Sequence, residues 1–136
     1  IKTAKYRKQL FELSKSLGAL FPVVVSFGAY VSKHASVESG SVIMYGAVVN
    51  TCSTIGNNCI INSKCLIEHD TFIGNHSHVS TGAIVNGNCY IGEGCFIGSG
   101  AIIKNGITIG ANSFIGAGTT ILQDLPPNSV VKKYDQ

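Results

Sequence analysis

Two neighbouring segments form the densest group of titratable side chains in this sequence that could move a proton. One is Glu68-His69-Asp70, and the other contains His76 and His78, so that three of the chain's four histidines lie within ten residues. An imidazole titrates near neutral pH, and an adjacent carboxylate can fix its tautomer and raise its basicity. The pattern indicates acid–base chemistry at His69, with Glu68 or Asp70 as its partner.

A strict six-residue repeat surrounds these segments. Every sixth residue from Val31 to Ile121 is isoleucine or valine, which gives sixteen consecutive repeats without an insertion. This period matches neither an α-helix nor irregular hairpins. It matches a chain that turns one corner of a triangular prism in each repeat, with three repeats to a coil. The sequence therefore predicts an all-β fold, a parallel β-helix solenoid.

The fourth position of each repeat, counted from the aliphatic residue, is predicted to be the corner. It is mostly glycine or asparagine, the residues that tolerate positive φ. The exceptions are His34, Cys52, Lys64, Asp70 and His76. Because local rules are expected to fail at functional sites, these exceptions point to the same part of the chain as the histidines do.

A metal site built from His69, His76 and His78 is the second chemical interpretation, and solvated corner residues are the third. His69 and His78 are half a coil apart on different faces of the predicted prism. One chain could not easily bring all three imidazoles to an ion with tetrahedral geometry, so no metal is expected.

Outside the repeat, the sequence predicts a helix over residues 3–17 and a strand over residues 21–27 with no sheet to join. The apolar residues of the helix fall on one face: Tyr6, Leu10, Leu13 and Leu17. We interpret residues 1–30 as the remnant of an N-terminal domain and residues 31–122 as the solenoid. Residues 123–136 are a C-terminal tail in which Pro126-Pro127 ends the repeat.

Charge and cysteine usage exclude several classes of protein. The net charge is +3, but the repeats carry three lysines against four acidic residues, so no basic stripe favours nucleic acid. Four cysteines occupy the small fifth position and are predicted to fill the core in a reducing compartment: Cys59, Cys65, Cys89 and Cys95. With no signal peptide and no apolar run of spanning length, we expect a cytoplasmic protein without a membrane partner.

The sixth position faces outward and is often apolar. At 18-residue intervals it forms three columns: Val48, Leu66, Ile84 and Ile102; Phe72 and Tyr90; and Ile60, His78, Phe96 and Phe114. Continuous apolar columns are costly in water, so we expect a homo-oligomer, most simply a homotrimer.

The repeat resembles the hexapeptide-repeat acyltransferases, which form left-handed parallel β-helices and act as trimers. The stretches Val42–Asn50, Ile67–Asp70 and His76–Ala83 are similar to the sialic acid O-acetyltransferase-like branch. That branch includes the enzymes that N-acetylate nucleotide-linked amino sugars.

The resemblance implies acetyl-CoA as the acetyl donor and a nucleotide-linked sugar as the acceptor. It also implies that His69 is the general base, that Asp70 assists it and that Glu68 stands beside it. His78 would lie near the acetyl group, and the backbone amides of Gly87 and Ala117 would hold the pantetheine arm. The N-terminal domain of the family, of which residues 1–30 would be the end, binds the nucleotide sugar.

Three other functions stay open at this point. A sugar O-acetyltransferase would use the same residues. A γ-class carbonic anhydrase would hold zinc with histidines from two subunits. An inactive scaffold fragment would have neither activity.

Overall fold

The computed structural model describes residues 3–132, most of which form a three-sided parallel β-helix of about six turns. Each strand is two residues long, and up to β14 it pairs in parallel with the strand three places later in the chain, whereas β16 pairs with β18. His78, for example, pairs with Phe96, 18 residues away. This arrangement confirms the solenoid that the six-residue period predicts.

The strands form three parallel sheets, one on each face of the prism. Sheet A contains β1 (Val24–Val25), β4 (Val42–Ile43), β7 (Ile60–Ile61), β10 (His78–Val79), β13 (Phe96–Ile97), β16 (Phe114–Ile115) and β18 (Val130–Val131). Sheet B contains β2 (Tyr30–Val31), β5 (Val48–Val49), β8 (Leu66–Ile67), β11 (Ile84–Val85), β14 (Ile102–Ile103) and β17 (Thr120–Ile121). Sheet C contains β3 (Ser36–Val37), β6 (Thr54–Ile55), β9 (Phe72–Ile73), β12 (Tyr90–Ile91) and β15 (Thr108–Ile109).

The turns between faces form three edges, named A–B, B–C and C–A after the sheets that they connect. The glycines and asparagines at the fourth position have positive φ, as predicted. Four of the exceptions also have positive φ: Cys52, Lys64, Asp70 and His76. His34 is different, because its φ lies outside this region. The aliphatic residue of each complete coil points inward, and Ile43 to Ile115 at this position are fully buried.

The fifth-position side chains join each coil to the next. Their hydroxyl and thiol groups donate to a carbonyl oxygen of the following coil, as Ser53 Oγ does to Glu68 O at 2.7 Å and Cys65 Sγ to Ser80 O at 2.9 Å. Unpaired buried carbonyls are costly, so this column is restricted to small residues, several of which can donate a hydrogen bond. The four cysteines are buried, as predicted, whereas Cys52 is exposed at its corner.

The N-terminal residues are part of the solenoid, which corrects the expectation of a strand with no sheet to join. β1 pairs with β4 in the regular 18-residue register. The helix α1 spans Lys5–Ser16, close to the predicted range, but the side chain that it buries is Phe11. The predicted apolar face of Tyr6, Leu10, Leu13 and Leu17 is exposed instead. Residues 3–132 contain no helix with the length and hydrophobicity needed to cross a bilayer.

The C-terminal coil is shortened but does not end at Pro126-Pro127. Leu125 bridges to Ile109, and β18 pairs with β16 through Val131 and Ile115. Both pairs are 16 residues apart rather than 18, so the last coil has lost two residues. The solenoid therefore extends past the predicted boundary at residue 122, and the tail residues 133–136 lie outside the described range.

Substitutions at Cys65 should test the fifth-position column. Cys65→Ser keeps a donor for Ser80 O and should change the free energy of unfolding by about 1 kcal/mol or less. Cys65→Val overfills the space and removes the donor, so it should cost about 1–3 kcal/mol. Thermal unfolding of both variants would measure this, and equal melting temperatures would contradict the role of the donor.

Candidate active site

His69 stands on the B–C edge, in the turn between β8 and β9. Its Nδ1 lies 2.8 Å from Oδ2 of Asp70, the residue at the corner itself. Both side chains are more than half exposed, at 55% and 57%. A carboxylate that accepts from Nδ1–H leaves the lone pair of a neutral imidazole on Nε2. The contact with Asp70 therefore orients the His69 ring and leaves its Nε2 able to accept a proton.

Glu68 makes a different contact. Its Oε2 accepts a hydrogen bond from Nδ2 of Asn50 at 2.9 Å, on the preceding coil, and its side chain is only partly exposed. Of the two carboxylates that flank His69 in the sequence, Asp70 thus orients the imidazole. Glu68 joins two coils of the same edge.

Gly87 lies directly beneath the His69 ring, one coil further along the B–C edge. A Cβ at this position would stand 2.6 Å from Nε2 and 2.7 Å from Cε1 of His69, so only glycine leaves room for the ring. The Gly87 carbonyl accepts hydrogen bonds from the Gly106 N–H, at 3.0 Å, and from the side-chain amide of Asn105. Within residues 3–132, its own N–H has no acceptor.

Ala117 lies on another edge, A–B, where no side chain covers two of the corner glycines. Gly82 and Gly100 have no heavy atom within 4 Å of where a Cβ would be. The N–H groups of Thr81, Ser99 and Ala117, one on each coil, have no acceptor in the described part of the chain. Adjacent coils of a parallel sheet are about 4.8 Å apart, so this edge presents a regular row of free donors.

His78 lies on neither edge. It is on sheet A, only 8% exposed, with Nε2 at 3.2 Å from Asn62 Nδ2 and its ring perpendicular to Phe96 at 5.3 Å. Position six faces outward, as predicted, but the start of α1 covers this residue through Thr3 and Arg7. Burial and, less strongly, the Arg7 charge lower the pKa of His78 to about 4.

His76 holds α1 against the C–A edge. Its Nδ1 is 2.9 Å from Asn58 Nδ2, and its buried ring packs edge-on to Phe11, with the centroids 5.7 Å apart. Arg7 donates hydrogen bonds to the main-chain carbonyls of Asn58 and His76. Burial lowers the pKa of His76. The sequence pattern did not reveal this role, because the partners Arg7 and Phe11 lie more than sixty residues away.

The three histidines therefore occupy three different places: an edge, a face and a buried helix contact. In the described range, no group of three or more His, Cys, Asp or Glu side chains is placed to hold a metal ion. The four buried cysteines are unsuited to nucleophilic chemistry, because burial raises the pKa of Cys59 and Cys65 to about 11 and also raises those of Cys89 and Cys95.

Comparison with protein families agrees with the six-residue repeat of the solenoid. Residues 70–105 and 88–123 match the model for the bacterial transferase hexapeptide (six repeats). Together the two matches cover residues 70–123, in the C-terminal part of the solenoid. The predicted resemblance to the hexapeptide-repeat acyltransferases is thereby confirmed. The comparison with curated proteins finds no match.

Solved structures of sugar N-acetyltransferases and related domains superpose closely on this hexapeptide-repeat chain. The acetyltransferase domain of PglB from Neisseria gonorrhoeae is 34% identical over 98% of this chain, with a TM-score of 0.95. The complex of that domain with acetyl coenzyme A is 33% identical over 98% of this chain, with a TM-score of 0.94. A third structure is a variant of GDP-perosamine N-acetyltransferase from Caulobacter crescentus in complex with CoA and GDP-perosamine. It is 28% identical over 98% of this chain, with a TM-score of 0.95.

The chain spans 65% of the length of the two PglB structures and 64% of that of the Caulobacter enzyme. The similarity therefore covers the solenoid and leaves about a third of each of these proteins outside the comparison.

Gly87→Ala should displace the His69 ring, because the new methyl group would occupy the space under Nε2. We expect a destabilisation of about 1–3 kcal/mol, typical of overpacking. In a His69→Ala background the same change should cost clearly less, because the ring is absent. Thermal unfolding of the four proteins in this double-mutant cycle measures the coupling, and additive effects would contradict the contact.

The buried histidines should make stability depend on pH. Their pKa values are lowered in the folded chain relative to the ordinary 6.5, and that of His78 is about 4. Below pH 6.5 the unfolded chain binds protons that the folded chain does not, so stability is full above 6.5 and falls as the pH approaches 4. His78 alone should contribute about 3 kcal/mol of this loss between pH 7 and pH 4.

A His78→Phe variant is the matched comparison, since phenylalanine already occupies this column at Phe96 and Phe114. Urea unfolding at pH 7 and pH 4 should show a smaller loss for the variant than for the unmodified chain. The same loss in both proteins would contradict a buried, neutral His78.

Proposed function

We propose that this chain is the acetyltransferase part of an enzyme that moves an acetyl group from acetyl-CoA to an amino group of a nucleotide-linked sugar. The observation that carries the proposal is the exposed His69 Nε2, held by Asp70 on the edge of a hexapeptide-repeat prism. Similarity to an acetyltransferase domain with bound acetyl coenzyme A and to GDP-perosamine N-acetyltransferase supports the acetyl donor and the class of acceptor.

The chemistry follows from the geometry of His69. As the sugar amine attacks the thioester carbonyl carbon, Nε2 accepts the amine proton and Asp70 stabilises the imidazolium that forms. The tetrahedral intermediate then collapses, the carbon–sulfur bond breaks, and the proton on His69 is available to the departing thiolate. Unpartnered backbone N–H groups, such as that of Gly87, are donors for the developing oxyanion.

We further propose that the complete site needs more than one copy of the chain. His69 and Gly87 stand on the B–C edge, whereas the open row that ends at Ala117 stands on the A–B edge, across a full face of the same prism. Two copies packed side by side could bring these edges together around one extended pantetheine arm. The apolar outer columns of sheets A and B favour such packing, with a homotrimer as its simplest closed form.

We also propose that His78, which faces α1 in the single chain, approaches the acetyl group in the assembled enzyme. Residues 1–30 would be the end of an N-terminal domain that binds the nucleotide sugar, and the enzyme would act in the cytoplasm. Acetylation of a hydroxyl group would use the same residues, and hydroxylamine treatment of the product separates the two, since it cleaves acetyl esters and leaves amides intact.

His69→Asn should lower kcat by a factor of about 10² to 10⁴, the usual contribution of a general base, with little change in the KM for acetyl-CoA. The assay follows release of the CoA thiol with GDP-perosamine and other nucleotide-linked amino sugars as acceptors. His34→Asn is the matched control, because His34 is an exposed histidine on the same B–C edge and lies outside the site. A His69 variant that turns over like the His34 variant would refute the proposed base.

A further inference from the structure

Sheet C differs from the other two faces in its outward column. The columns of sheets A and B are mostly apolar along their length, whereas that of sheet C consists largely of hydroxylated residues: Ser36, Thr54 and Thr108. Two aromatic side chains, Phe72 and Tyr90, interrupt it at adjacent strands. They are 36% and 50% exposed.

The two rings form an ordered pair. Phe72 and Tyr90 stack in parallel, with centroids 4.9 Å apart and an angle of 11° between their planes. The neighbouring strands carry only Thr54 beside Phe72 and Thr108 beside Tyr90. Because threonine is too short to cover an aromatic ring, the outer face of each ring borders a notch in the column.

The pair lies next to the proposed base. Phe72 follows His69 by three residues, and Tyr90 follows Gly87 by three, so each ring begins at most about 10 Å along the chain from the B–C edge. Two carboxylates border the same surface. Asp70 stands at the corner, and Asp124 accepts a hydrogen bond from the Thr108 N–H at 2.8 Å, beside the notch next to Tyr90.

We propose that the outer face of Tyr90, together with Thr108, binds the sugar ring of the amino-sugar acceptor and positions its amine toward His69. This inference rests on the proposed function and specifies where the acceptor lies. An aromatic face stacks on the C–H face of a pyranose, hydroxyl groups bond to its hydroxyls, and carboxylates and the π face attract an ammonium group. Phe72 supports Tyr90 from the other side.

A second copy of the chain is the alternative occupant of this surface, and the column argues against it. Packing of one prism on another requires a continuous apolar stripe, which sheets A and B have. Sheet C offers two aromatic residues between hydroxyl groups, the composition of a small polar-apolar binding site. The pair therefore remains open to a ligand when the other faces are covered.

Tyr90→Ala should raise the KM for the acceptor about five- to tenfold, with kcat and the KM for acetyl-CoA changed less than twofold. Tyr90→Phe keeps the ring and should stay within about twofold of the unmodified chain. Tyr6→Ala is the control, because it removes another exposed tyrosine, 74% exposed against 50% for Tyr90, from α1. Sedimentation of each variant shows whether the oligomeric state has changed.

Saturation-transfer NMR provides a readout that needs no turnover. GDP-perosamine is the probe. Irradiation of the aromatic protons of the unmodified protein should saturate the pyranose protons of the probe, and the same irradiation of Tyr90→Ala should not. Saturation confined to the nucleobase, no binding at millimolar probe, or a changed oligomeric state in Tyr90→Ala would each overturn the inference. Pyranose saturation without any acetyl transfer would support this site and refute the proposed function instead.

Discussion

The structure depends on one constraint, the pairing of each two-residue strand with the strand 18 residues later. This parallel register places equivalent positions of successive repeats directly above one another, so one aliphatic column fills each side of the core and one small column joins the coils. A single inserted residue would shift every side chain that follows it to another position of the prism. Within residues 3–132 the pairing offset departs from 18 only at the last coil, where it falls to 16.

The candidate site uses this register at its corners. A left-handed backbone costs a residue other than glycine or asparagine free energy, yet Asp70 adopts φ 57° there. That conformation places its carboxylate against Nδ1 of His69. The next coil contributes Gly87, whose missing side chain makes space for the imidazole. The candidate site thus arises from one exceptional corner residue, Asp70, and two third-position residues, His69 and Gly87, rather than from an added loop.

The prism also explains why the proposed reaction needs several copies of the chain. A triangular solenoid separates its three edges by whole faces, and no turn in it is long enough to bring two edges together. In the proposed site, His69 and the row of free amides near Ala117 would meet across an interface between two copies. The apolar columns of sheets A and B would form that interface, and the mixed column of sheet C would be left for a smaller ligand.

The sequence alone established the solenoid, its corners, the buried cysteines and the position of His69, because a period of six leaves one backbone path and each column then has one environment. It left open whether Glu68 or Asp70 orients His69, since both are adjacent in the chain. Only the tertiary structure decided that, through the corner conformation of Asp70 and the bond from Asn50 to Glu68. It also decided that Arg7 and Phe11 contact His76 under α1. These contacts between distant, non-repeating residues have no periodicity and therefore leave no signal in the sequence, whereas Val25 of β1 lies six residues before Val31 and continues the period.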